Sequence, residues 1–157
     1  MKKIVTLLFV LIISSCQAQE KKLDIQGNWY MESNNSQKEF VYLEIYIDDT
    51  TFSFYDDLIG YKGGDNYTID KKILYLMINE DKTKLGLIKV IDKNTISFNG
   101  EDGKIVIYKK VIGNGMKLDD LLFKNTQNQS RQHRAKLEDK YWEAFNKRKI
   151  EWEKGNG

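Results

Sequence analysis

Residues 40–47 read Phe40-Val41-Tyr42-Leu43-Glu44-Ile45-Tyr46-Ile47, and their strict alternation decides the fold class. Successive side chains of a strand point to opposite faces. Val41, Leu43, Ile45 and Ile47 therefore share one face, while Phe40, Tyr42, Glu44 and Tyr46 share the other. The aliphatic face is expected to point into a core, and the aromatic face then needs a cover of its own. Asp48-Asp49-Thr50 reads as a tight turn, because short acidic side chains favour turn geometry, and Thr51 to Tyr55 resumes the alternation.

The same period extends in both directions from Gln26 to Val111. Eight runs are expected: Gln26–Ser33, Glu39–Asp48, Thr51–Tyr55, Tyr67–Ile69, Ile73–Asn79, Leu85–Ile91, Thr95–Phe98 and Lys104–Val111. Gly60 to Asp65 reads as a loop, the longest gap in the series, and Glu80 to Lys84 as a polar turn. Gaps this short pair each strand antiparallel with the next. Eight strands are enough to close into a barrel and remove both exposed edges. The chain is thus expected to be mainly β, a small eight-stranded antiparallel up-and-down barrel with a C-terminal helix packed outside. Phe52, Phe54, Leu74, Leu76, Ile78, Ile96 and Phe98 are candidates to fill its interior.

Beyond Gly113-Asn114-Gly115 the period changes. Lys117 to Lys124 reads as a short helix, and Arg131 to Lys154 as a longer one with Leu137, Tyr141, Ala144, Phe145 and Trp152 along one face. Docking on the outer barrel wall is the simplest use of that stripe. If it is left uncovered, Tyr141, Phe145 and Trp152 become a partner-binding face. Lys140, Lys147, Arg148, Lys149 and Lys154 interleave with five acidic residues and read as a solvated face.

The N-terminus carries an address. Met1-Lys2-Lys3 precedes an apolar run from Ile4 to Ile13 broken only by Thr6, followed by Ser14-Ser15-Cys16. This is a charged start, a hydrophobic run and a small-residue exit, far short of the ~20 apolar residues a spanning helix needs. Ile13-Ser14-Ser15-Cys16 resembles the bacterial lipobox, which implies diacylglycerol on Cys16 and cleavage before it. The alternative is ordinary secretory cleavage near Ala18. Expected organisation is a signal peptide at residues 1–15, a lipidated cysteine and tether at 16–25, a barrel at 26–112 and a helical tail at 113–157. Residues 17–24 span at most ~29 Å when extended, which would hold the domain near its membrane. By analogy, Gln17, in place of the aspartate that retains some lipoproteins in the inner membrane, points to the outer membrane of the cell envelope.

Cys16 is the one cysteine, so no disulfide stabilises the domain. Removing Lys2 and Lys3 from the 25 basic residues leaves 23 against 23 acidic ones. Residues 26–111 carry 11 Lys and 14 Asp/Glu, whereas 112–157 carry 10 Lys/Arg and 7 Asp/Glu. That polarity is too mild for nucleic acid, where a dense basic surface dominates affinity.

Gly27-Asn28-Trp29 at the start of the first strand, followed by an eight-strand meander and a C-terminal helix, resembles the lipocalins. The resemblance covers roughly residues 24–152. It implies that Trp29 plugs one end of the barrel, stacked under an arginine that follows the last strand. Here the sequence departs from that pattern: no arginine occurs before Arg131, the last strand offers only Lys109 and Lys110, and the Thr-Asp-Tyr signature of later strands is missing. The family further implies a small apolar ligand in the barrel, and Trp29, Tyr61 and Tyr75 are its candidate contacts.

Catalytic chemistry has little to work with. His133 is the only histidine and is expected on a solvated helix surface, without the converging groups a general base or metal ligand needs. Asp48-Asp49, Asp56-Asp57, Glu80-Asp81 and Glu101-Asp102 fall at turns and lack calcium-loop spacing. Gly60-Tyr61-Lys62-Gly63-Gly64 has no following helix to make a phosphate cradle. No catalytic residue, metal or cofactor is therefore expected. The sequence favours a non-enzymatic, lipid-anchored envelope module holding a small apolar or amphipathic ligand, with an envelope inhibitor or immunity protein as the alternative.

Overall fold

The computed structural model describes residues 23–34, 42–123 and 131–156. Eight strands follow in chain order: β1 Gly27–Asn34, β2 Glu44–Ile47, β3 Thr51–Asp56, β4 Gly60–Asp70, β5 Ile73–Ile78, β6 Asp81–Asp92, β7 Thr95–Asn99 and β8 Ile105–Lys110. Each pairs antiparallel with its neighbours, and β1 pairs with β8, from Trp29 opposite Lys110 to Asn34 opposite Val106. The sheet therefore closes as an up-and-down barrel, as the alternation predicts. Helices α1 (Leu118–Phe123) and α2 (Arg131–Asn156) follow. The lipobox and Cys16 lie outside the described residues.

Three strands differ from the sequence expectation. The run Glu39–Asp48 yields only the four-residue β2, with Tyr42 and Leu43 ahead of it outside the strand, and residues 39–41, with Phe40 and Val41 of the alternating run, lie outside the described residues. Gly60–Asp65 is no loop but the first half of β4, an 11-residue strand. Its glycines mark a bulge, where the register shifts between Phe52 opposite Asp65 and Phe54 opposite Lys62. A Cβ on Gly64 would lie 2.8 Å from Cβ of Thr51, so this is a glycine of close approach, a common reason for one inside a strand. Asp81–Lys84 likewise belongs to β6. The β5–β6 turn is only Asn79-Glu80, both at positive φ (49° and 72°), so the polar run is strand, exposed on both of its faces.

Closure produces two cores. Ile25, Trp29, Met31, Ile45, Ile47, Phe52, Leu74, Ile88, Ile96, Phe98 and Tyr108 pack together inside the barrel. Outside, Tyr42 and Tyr46 from β2 pack with Leu118, Leu121, Leu137, Tyr141, Phe145 and Trp152. The aromatic face of β2 thus receives its cover from the tail. Tyr141, Phe145 and Trp152 are 0%, 0% and 9% exposed, so the stripe is spent on intramolecular docking rather than on an open partner-binding face.

Candidate functional site

The two ends of the barrel differ. At the end where the chain enters β1, Trp29 is 1% exposed and its indole N–H donates to the carbonyl of Ile25 at 2.9 Å. Lys110 Nζ lies 5.2 Å from its ring centroid, a cation over an aromatic face. The cation over Trp29 is thus a lysine, Lys110 of the last strand, and not the arginine of the lipocalin pattern. Tyr67 closes the same end by donating its hydroxyl to the Asp48 carbonyl at 2.7 Å. Deeper in, Phe52 meets Phe98 edge-on with centroids 6.4 Å apart, and Phe98 meets Tyr108 at 5.3 Å. Burial pushes the Tyr108 hydroxyl up to a pKa of about 12. Phe52, Leu74, Ile96 and Phe98 are the expected filling, and they leave this half of the barrel packed with its own side chains.

The opposite end is more open. Leu43, Phe54, Leu76 and Val106 pack on the interior core but stay partly exposed. Lys62 is exposed and holds its ammonium 5.6 Å from the centroid of Phe54. The register sets Thr83 and Asp81 opposite Leu76 and Ile78, on the same inner face. An apolar floor under a polar rim can accept the apolar end of an amphipathic molecule while Lys62 meets a negative head. Beside this mouth, the β3–β4 turn projects Leu58 and Ile59, 86% and 68% exposed. Asp56 fixes that turn by accepting from both backbone amides, at 2.8 and 2.6 Å.

The three candidate ligand contacts do not come together. Trp29 is the plug of the closed end. Tyr61 sits on the outer wall beside the helical cluster, so it is no rim residue. Tyr75 alternates out of the interior between Leu74 and Leu76, with Lys82 Nζ 4.1 Å from its ring centroid. His133 is exposed near the start of α2. Among the described residues, no group of three His, Cys, Asp or Glu side chains could hold a metal ion, and no helix is long and apolar enough to cross a membrane.

Sequence reading missed the most concentrated polar cluster. Glu44 lies at the centre of the aromatic face and its side chain is 1% exposed. Arg148 grips it with two parallel bonds, Nε to Oε1 at 2.7 Å and Nη2 to Oε2 at 2.9 Å. Tyr42 donates to Oε1 at 2.7 Å and Tyr141 to Oε2 at 2.9 Å, while Arg148 Nη1 reaches the Met116 carbonyl at 3.1 Å. Arg148 is therefore not part of a solvated face: it belongs to the docking stripe, seven residues after Tyr141 and four before Trp152. Burial, then the charge and hydrogen bond of Glu44, hold both tyrosine hydroxyls protonated far above their ordinary pKa of 10.0. Burial opposes the charge on Arg148, and its bonds to Glu44 and the carboxylate charge outweigh it, raising its pKa. Every oxygen of Glu44 is occupied, so the cluster is a clamp rather than a reactive centre. Lys149 adds a second tie to Asp57.

The fold and these features define a small closed up-and-down β-barrel, plugged at one end and clamped externally by a helix. Comparison with protein-family models, with curated proteins and with solved structures finds no match.

Proposed function

We propose that this protein is a non-enzymatic, lipid-anchored binding module of the bacterial cell envelope, whose lipocalin-like barrel takes the apolar end of a small amphipathic molecule at its open mouth. The observation that carries this reading is the contrast between the packed lower interior and the partly exposed floor of Leu43, Phe54, Leu76 and Val106 under Lys62. A ligand would enter only partway, because Phe52 and Phe98 already fill the space beneath. A long-chain carboxylate suits both floor and rim.

Native mass spectrometry of the chain purified from its host is expected to show a bound small molecule, and oleate is expected to bind. Phe54→Ala and Lys62→Glu should each weaken oleate, the second with little loss of stability because Lys62 is exposed. A chain that carries no adduct and ignores oleate would sink the proposal. The anchor is tested separately: Cys16→Ala should abolish acyl incorporation and release the domain from the membrane fraction.

A second reading is favoured by Leu58 and Ile59, two exposed apolar side chains on a turn that Asp56 holds rigid. Such a tip fits a pocket on an envelope protein, which the module would bind or inhibit. A protein that co-purifies, and is lost on Leu58→Asp, would favour it.

A further inference from the structure

We infer that the plugged end of the barrel is a bilayer-docking face, built to rest on anionic phospholipid headgroups and so to turn the open mouth away from the membrane. The inference deepens the lipid-anchored reading and rests on it.

Three observations converge on that end. The chain enters β1 there: Ile25 is buried in the interior core and Gly27 begins the strand, so a tether running back from Leu23 to Cys16 would leave from the plugged end. Eight extended residues bridge no more than ~29 Å, and an anchor attached at one pole holds that pole nearest the bilayer.

The second observation is charge. The β4–β5 turn is Lys71-Lys72, and the carbonyl of Lys72 accepts from the Ile88 amide of β6 at 2.8 Å. The β6–β7 turn carries Lys93, and the Asn94 carbonyl accepts from the Lys110 amide of β8 at 2.9 Å. One flank of the plugged end therefore gathers lysines from two turns and from the end of β8. Lys93, Lys109 and Lys110 line a depression of about 460 Å³ with Tyr30, Thr95 and Ile112, a volume suited to a phosphate and its glycerol. Asp92 also lines it, but its carboxylate is engaged by the Asn94 amide at 2.7 Å. Asp70 adjoins the lysine turn. Asp48, Asp49 and Asp119 lie on the other flank, around Tyr46, so the contact is one-sided.

The third observation is that Ile112 and Ile91, at the same end, are 74% and 50% exposed. Apolar side chains set among lysines match the headgroup boundary of a bilayer, where the first enter the acyl edge and the second meet phosphates. Backbone cost points the same way. Lys71 and Lys72 both hold positive φ (48° and 66°), a conformation for which Asn-Gly is the unstrained choice. Two lysines occupy those positions instead.

The test uses the full lipidated chain in vesicles of phosphatidylethanolamine and phosphatidylglycerol in equal parts. A fluorophore is placed on Asn94→Cys or, at the opposite pole, on Glu101→Cys; the acylated Cys16 sulfur cannot react. A nitroxide-bearing lipid should quench the position-94 label several-fold more than the position-101 label. Equal or reversed quenching overturns the inference. Partitioning of the Cys16→Ala chain onto the same vesicles should fall about five-fold for each of Lys93 and Lys109 changed to Gln, and unchanged partitioning also overturns it. The mass of the purified chain reports the anchor independently. If it lacks acyl groups the anchor reading fails, and the Lys93 and Lys109 partitioning alone decides the docking face.

Discussion

Replacing Arg148 by Met removes the positive half of the clamp while keeping most of the apolar stem. Glu44 is then left 1% exposed, with only the hydroxyls of Tyr42 and Tyr141 bound to it. Breaking a buried ion pair on one side costs about 3–5 kcal/mol. The two tyrosine donors still solvate the carboxylate, which favours the low end, about 3 kcal/mol. The bond to the Met116 carbonyl adds about 1 kcal/mol, for a total near 4 kcal/mol by the same reasoning. Against a typical domain stability of about 5–15 kcal/mol, that is a large share. Urea unfolding followed by tryptophan fluorescence reads it, since Trp152 lies 5.6 Å from Tyr42 at the docked face. The double change Glu44→Gln and Arg148→Met should recover about 2 kcal/mol of the loss, because no uncompensated charge remains buried. A loss below about 1 kcal/mol, or a double variant no more stable than the single one, would refute the clamp.

Three further outcomes follow from local geometry. Stability should fall at both extremes of pH. Burial raises the Asp48 pKa, but bonds from Thr51 and Thr50 outweigh it and leave it below its ordinary 3.8. Its contribution is therefore present above that value and lost as pH drops through the lower folded one. Tyr30 and Tyr108 are raised from 10.0 to about 12, so their contribution is complete below pH 10 and lost as pH climbs towards 12; thermal melts across the range read both. Gly86→Ala should cost about 2–4 kcal/mol, since Gly86 sits at φ +147° and a Cβ there would overlap the Asn99 carbonyl oxygen. Gly60→Ala, at φ +76° with open space around it, should cost only about 1 kcal/mol. Lys71→Asn with Lys72→Gly should raise stability by about 1–2 kcal/mol by relieving two positive-φ residues, visible as a higher melting temperature.

The alternation in residues 42–47 was enough to set the two faces, the strand at Glu44–Ile47 and the need for an outer cover, because a period of two is a local property of the backbone. The stripe Leu137, Tyr141, Phe145 and Trp152 named that cover for a similar reason: helical spacing is local too. Turn chemistry misled at Gly60–Asp65, where glycines that suggested a loop serve a bulge, and the side chain that leaves no room for a Cβ at Gly64, Thr51, lies on the neighbouring strand. It misled again at Asp81–Lys84, because a strand segment exposed on both faces is polar throughout and looks like a turn when the partner strand is unseen.

The sequence by itself determined a mainly β chain of eight strands in meander order, with a helix shaped to dock outside. Those follow from side-chain periodicity and short connections. Only the tertiary structure decided that Glu44 meets Arg148 across 104 positions, that Lys110 stands over Trp29, and that one mouth is plugged while the other keeps an apolar floor. Each of these is a meeting of residues distant in the chain, and it exists only once the strand register and the seat of the helix bring them within reach.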